Sequence, residues 1–258
     1  MAASVRFQFH CAWARLLRGA KTTVTAADPS DPTHRYLRCR RWYATPMIVL
    51  GNVYMRWLGV GVTFLHCQAW ARWESAVHAA LGTCSSVNKT GVTIPRLSGM
   101  TVAAALPGDR EQALVAAEAS LRSLAAAHQL AVPWPDGIDR PFSHGDATVV
   151  NVIYDPVTGV ATWIDFETLH DPRLSVEHRR ADDLRAWLCS AVEYGGMKMA
   201  DELIPIVVRV YDDAPVLEEL QRMLLTSRDN VYHLAQGMIG RELRLELAGM
   251  LKQERSTR

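Results

Sequence analysis

The chain has 258 residues, 49% of them hydrophobic and 21% charged, with 28 Lys+Arg against 27 Asp+Glu and a formal charge of +1. That balance excludes a disordered tail, a collagen-like repeat and a coiled rod, and supplies enough apolar material for one large domain or two modest ones. It also argues against nucleic acid as the partner, because neutralising phosphates takes a clear excess of Lys and Arg.

The opening MAASVRFQFHCAWARLLRGAK is interrupted by Arg6, Arg15 and Arg18 and lacks the apolar core of a signal peptide, so the cytoplasm is the expected compartment. Cys11, Cys39, Cys67, Cys84 and Cys189 show no metal-binding spacing and read as reduced thiols. Asp28-Pro29-Ser30-Asp31-Pro32 marks a turn, and a strand is expected over His34 to Tyr43. Met47 to Leu65 is apolar apart from Arg56 and approaches the length of a membrane span. A central charge costs about 2.5–3.5 kcal/mol on insertion scales, and Gly51, Gly59 and Gly61 break the run. The pattern is read instead as two buried strands, Ile48 to Trp57 and Val60 to Leu65, with no integral membrane span.

From Gln68 the period changes. Trp70, Trp73, Val77, Ala80 and Leu81 recur at helical spacing, and Gly82 stands where a helix should end. A loop with Asn88, Gly91 and Pro95 precedes a long helix over Asp109 to Leu130, striped by Leu114, Ala117, Leu121, Leu124 and Ala125. Beyond Ser175 the chain reads as helical, with breaks near Gly195-Gly196 and Pro215.

The chemistry lies between these helical tracts, in Pro141 to Pro172. Val149 to Tyr154 and Val160 to Phe166 form a hairpin around Asp155-Pro156-Val157-Thr158-Gly159. Asp146 and Asn151 open its first strand and Asp165 ends its second, so three oxygen-bearing side chains converge on one edge. Such a set suits Mg²⁺, a hard cation held by few protein ligands together with substrate phosphates.

His144-Gly145-Asp146, with Asn151 five residues after the Asp, matches the catalytic-loop spacing of protein kinases, and Asp165-Phe166-Glu167 stands where Asp-Phe-Gly would. This HGDxxxxN…IDFE pattern, over Phe142 to Trp187, resembles the aminoglycoside phosphotransferase and choline kinase branch of the protein kinase-like superfamily. The resemblance implies an α+β, bilobal kinase-like fold, with a small β-rich nucleotide-binding lobe over residues 1–97 and a helical catalytic lobe over 98–258. It further implies transfer of a phosphoryl group from ATP to a hydroxyl of a small molecule such as an aminoglycoside, amino alcohol or sugar. Asp146 would orient the acceptor hydroxyl, Asn151 and Asp165 would hold Mg²⁺, and His144 would brace the loop.

The family also places a cation over the nucleotide phosphates, tied to a helix Glu. None of Lys21, Lys89, Lys198 and Lys252 is suitably placed, so Arg56, on an expected strand 18 residues before Glu74, is assigned that role with Glu74 as its partner. No G-x-G-x-x-G occurs. Residues 19 to 45 contain only Gly19, which leaves Thr22, Thr23 and Thr25 as phosphate-side donors or as a plain strand entry. Ile94 to Thr101 resembles the inter-lobe connection where adenine binds. Asp182 or Asp183 would hydrogen-bond the catalytic loop backbone, or else simply favour a helix N-terminus.

Arg35, Arg38, Arg40 and Arg41 form a basic cluster. It is either a solvated strand or a contact for an acidic substrate or lipid head group, the latter compatible with peripheral membrane contact. Trp187, Tyr194, Tyr211 and Tyr232 line an acceptor pocket or pack a core, and His170, Asp171 and His178 read as polar turn residues or ligands. Two other functions stay open: a pseudokinase that binds nucleotide or a protein partner, and a metal-dependent phosphohydrolase built on His144, Asp146, Asp165, His170 and Asp171.

Overall fold

In the computed structural model, residues 22–59, 61–88, 91–226 and 240–257 are described. Cys11, Gly19, Lys21, Val60, Lys89, Tyr232 and the arginines of the first 21 residues lie outside them.

The architecture is mixed α+β with several small sheets. A tight antiparallel hairpin of β1 (Thr23–Asp28) and β2 (Asp31–Arg40) begins it. Helix α1 (Ala44–Leu58), strand β3 (Val62–Phe64) and helix α2 (Cys67–Ala80) follow, then β4 (Ser86–Val87) and β5 (Gly91–Pro95). Strands β1, β2, β5 and β4 form one sheet in that order. Gly91 has no room for a side chain there, since a Cβ would stand 1.8 Å from the Arg38 carbonyl oxygen on β2.

The segment expected as a strand over Ile48 to Trp57 is helix α1. Ala44, Ile48 and Met55 are buried while Val49, Val53 and Trp57 are exposed, a spacing that only a helix produces. The apolar run hid that period because its solvent face is apolar too. Gly59, at φ 72°, ends the helix in the left-handed conformation, and Asn52 locks it to β3 through a reciprocal pair, Nδ2 to the Phe64 carbonyl at 2.9 Å and the Phe64 N–H to Oδ1 at 2.7 Å. No helix among the described residues is long and apolar enough to cross a membrane.

Strand β6 (Met100–Thr101) and short helix α3 (Val102–Ala105) lead into α4 (Arg110–Ala127), capped by the Asp109 carboxylate on the Gln112 N–H. A ribbon of β7 (Ala131–Pro133) and β8 (Asp139–Pro141) precedes the loop that carries Asp146. Strands β9 (Val152–Asp155) and β10 (Val160–Trp163) form the expected hairpin, with β6 added on the β9 side. Strand β11 (Thr168–His170) pairs with β3. Helices α5 (Val176–Gly195), α6 (Ala200–Val210), α7 (Ala214–Leu225) and α8 (Arg241–Ser256) complete the chain. The expected break near Pro215 falls at residues 211–213, between α6 and α7, and Pro215 itself sits in the first turn of α7, where a missing N–H costs nothing.

One core runs beneath the site. Leu121 and Leu124 of α4, Trp163 of β10 and Leu184, Trp187 and Leu188 of α5 are buried together. Ser120 ties the three elements: its hydroxyl accepts from Trp187 Nε1 at 2.9 Å, and its carbonyl accepts from Trp163 Nε1 at 3.3 Å. Trp187 and Tyr211 are therefore core residues, whereas Tyr194 is largely exposed.

Candidate active site

The loop from Ser143 to Asp146 has almost no regular structure, so its backbone groups need other partners. Asp183 of α5 provides them, accepting from the His144 N–H at 2.7 Å and the Gly145 N–H at 2.8 Å. Its Oδ2 also accepts from His128 Nε2 at 3.0 Å, and Tyr211 donates to the other ring nitrogen of His128 at 2.7 Å. Burial resists ionisation of Asp183, but His170, His128 and His144 around it outweigh that penalty and hold its carboxyl below the usual range. Asp182 turns elsewhere, to His170 at 3.1 Å and to Arg185. Of the two acids offered by the sequence, Asp183 is the one bonded to the loop.

His144 Nε2 donates to the Ile164 carbonyl at 3.0 Å, joining the loop to the end of β10, and Nδ1 accepts from the Asp146 N–H at 3.3 Å. That tautomer is neutral, and burial lowers its pKa accordingly. Gly145 is at φ 78°, and a Cβ there would meet the Thr168 hydroxyl at 2.9 Å. The glycine is required on both counts.

Asn151 lies in a 3-10 turn at the start of β9 and donates from Nδ2 to the Asp146 carbonyl at 2.9 Å and to its Oδ2 at 3.1 Å. The amide nitrogen is committed to Asp146. Asp146 Oδ1 is buried and has no hydrogen-bond partner. Burial, reinforced by the Asp165 carboxylate, pushes the Asp146 carboxyl up to about 7. Asp165 is the one non-glycine among the described residues with positive φ, 67°, a strained backbone conformation for a residue with a side chain.

The cation that meets these acids is not Arg56. Arg56 ends α1 on the rim of a surface cleft with Val53 and Thr63, because the segment expected as a strand is a helix. Glu74, buried on α2 as expected, pairs with Arg38 of β2. Arg38 also donates to Asp165 Oδ1 at 2.5 Å and to Glu167 Oε1 at 3.1 Å. Burial works against the Arg38 charge, yet Asp165, Glu74 and Glu167 overbalance it and hold the guanidinium above its ordinary pKa. Arg40, on the same face of β2, donates to Glu167 Oε2 at 2.8 Å and to the hydroxyls of Thr22 and Thr23 at 2.9 and 3.0 Å, and stacks on Trp70 at 4.7 Å. Thr22 and Thr23 are thus partners of an arginine. The sequence signal for this pair was the i, i+2 spacing of Arg38 and Arg40, which puts both on one face of a strand.

Phe166 packs between His144, at 4.9 Å, and His78 of α2, at 5.3 Å, and so links the loop to the helix that carries Glu74. The set His144, Asp146, Asp165, His170 and Asp171 is not assembled for a metal. His170 lies between Ser143 and Asp182, Asp171 pairs with Arg173, and no group of three His, Cys, Asp or Glu among the described residues is gathered to hold an ion. Chemically, the centre offers a carboxylate of raised pKa, two oxygens suited to a hard cation and a forked cation braced by three acids. Comparisons with protein-family models, curated proteins and solved structures gave no match.

Proposed function

We propose that this chain is a phosphotransferase that moves a phosphoryl group from ATP to a hydroxyl of a small molecule. One observation carries the reading: Asn151 is bonded to Asp146, whose carboxyl feels the Asp165 charge, at a loop braced by Asp183, while Arg38, tied to Glu74, donates to Asp165. On this reading residues 1–97 bind the nucleotide and residues 98–258 bind the acceptor. In the same reading Arg38 takes the place of the lysine used in the aminoglycoside phosphotransferase and choline kinase branch that the sequence resembles.

The donor set suits Mg²⁺, because the Asn151 oxygen and the second Asp165 oxygen are hard ligands and the Asp146 carboxylate that Asn151 holds keeps an orphaned Oδ1. Bound there, Mg²⁺ would offset charge on the nucleotide phosphates. The protein does the rest by positioning. Asp146 accepts the proton of the acceptor hydroxyl as its oxygen bonds to the γ-phosphorus and the bond to the ADP oxygen breaks. Its raised pKa suits that exchange near neutrality. Arg38 presents a planar fork to the phosphates, a role in which Arg differs from Lys by pairing with two oxygens at once.

The test is thermal stabilisation by ATP with Mg²⁺, followed by a search for a phosphorylated product among amino alcohols, aminoglycosides and sugars. Asp146→Asn should keep nucleotide-dependent stabilisation and lose transfer, and transfer retained in that variant refutes the assignment. Arg38 already engages three carboxylates, which favours one second reading, a pseudokinase that binds nucleotide without turnover. ATP binding with no product from any acceptor selects it.

A further inference from the structure

Helix α1 keeps an apolar outer face. At 3.6 residues per turn, Pro46, Val49, Leu50, Val53 and Trp57 fall on one stripe, all exposed, opposite the buried Ala44, Ile48 and Met55. Val53 is 63% and Trp57 57% exposed, and Trp42, in the turn before the helix, is 92% exposed. Single apolar side chains on a surface need no explanation, but a continuous stripe along one element does. Arg56 stands at the edge of the stripe and Arg41 just before the helix, both exposed. Asp171 feels the Arg56 charge but is already paired with Arg173. The surrounding charge is lopsided. Residues 1–73 hold ten Lys and Arg against two acids, Asp28 and Asp31, while the remaining residues hold eighteen against twenty-five.

We propose that this face of α1 lies on an anionic lipid bilayer, with the helix parallel to its surface. At 15 residues α1 is about 22 Å long, too short to cross a hydrocarbon core of about 30 Å. A helix with one apolar stripe and a basic edge instead rests in the interface, the stripe against the acyl boundary and the arginine reaching the head groups. Tryptophan suits that level, since its ring is apolar and its N–H is polar. Charge selects the occupant. Residues 1–21 join the described chain at Thr22, whose carbonyl accepts from the Arg41 N–H beside Trp42, so they start near the stripe. They carry Arg6, Arg15, Arg18 and Lys21 with no acid, and so repel Arg41 and Arg56. A second copy of the chain brings the same sign to the contact. Anionic lipid attracts every one of these cations. The inference stands without the phosphotransfer reading, because no residue of the stripe belongs to the centre built on Asp146.

The test is co-sedimentation of the full chain with vesicles of phosphatidylcholine alone, and of phosphatidylcholine and phosphatidylserine in equal parts, at low and high salt. Wild type should bind the mixed vesicles, leave them at high salt and ignore pure phosphatidylcholine. Val53→Asp sets an acid in the middle of the stripe and should bind about tenfold more weakly, and Arg56→Gln about fivefold more weakly. Both positions are exposed, so on this proposal each variant keeps the melting temperature of wild type. Absence of wild-type binding to the mixed vesicles overturns the proposal. A lowered melting temperature of Val53→Asp then assigns the face to residues 1–21, and a dimer that Val53→Asp dissociates assigns it to a second copy. Equal binding by wild type and Val53→Asp also overturns it, because the lipid is then held by the basic residues 1–21 without α1.

Discussion

Asp146 holds a carboxyl that burial and the Asp165 charge push to about 7. A raised acid binds its proton more tightly folded than unfolded, so between the ordinary value of 3.8 and about 7 folding stability falls as pH rises. A shift of that size corresponds to at most about 4 kcal/mol, and the partial exposure of the side chain reduces this to roughly 1–2 kcal/mol. Asp146→Asn should therefore be more stable than wild type by that amount at pH 8 and equal to it near pH 3, read from urea midpoints across the range. A constant difference between the two proteins would show that the carboxyl titrates normally. The bond between Asn151 and Asp146 was legible because the two stand five residues apart in one short segment. Arg38 was not, since nothing local tells an inward arginine from a solvated one on an alternating strand, and its partner Glu74 lies 36 residues away.

Helix α5 acts on the site through a single side chain. Asp183 satisfies two backbone N–H groups of the loop that carries Asp146 and one imidazole, all of them buried. Asp183→Ala leaves three donors without water or partner and should cost about 3–5 kcal/mol, whereas Asp183→Asn keeps one acceptor and should cost about half as much. Chemical denaturation of both variants checks this, and equal losses would mean that the charge contributes little beyond its hydrogen bonds. The acid itself was foreseeable from the sequence, but the choice between Asp182 and Asp183 was not, since it depends on which face of α5 meets the loop. The same limit explains α1, where an apolar solvent face erased the period that separates helix from strand. The helices of Cys67–Ala80 and Arg110–Ala127 had polar outer faces and could be read almost to their ends.

At the scale of the molecule, Arg38 joins parts of the chain that are far apart in sequence: β2, helix α2 through Glu74, and the segment after β10 through Asp165 and Glu167. Exposed ion pairs such as Arg110 with Glu202 contribute little, but this one is enclosed, so removing one member strands the others. Arg38→Met should cost about 3–5 kcal/mol at pH 7.5, while Arg38→Met combined with Glu74→Gln should recover a large part of that loss. The pH dependence is a separate check. Without the guanidinium, burial raises the carboxyl pKa values in the folded protein above their unfolded values, so the penalty is present at high pH and is lost as pH falls toward 5. The gap between wild type and Arg38→Met in urea unfolding should therefore narrow steadily from pH 7.5 to 5. If the gap stays constant and the double variant is no more stable than the single one, then Arg38 acts through packing on Trp70, whose ring lies 5.7 Å away, and the acids of this centre do not depend on its charge.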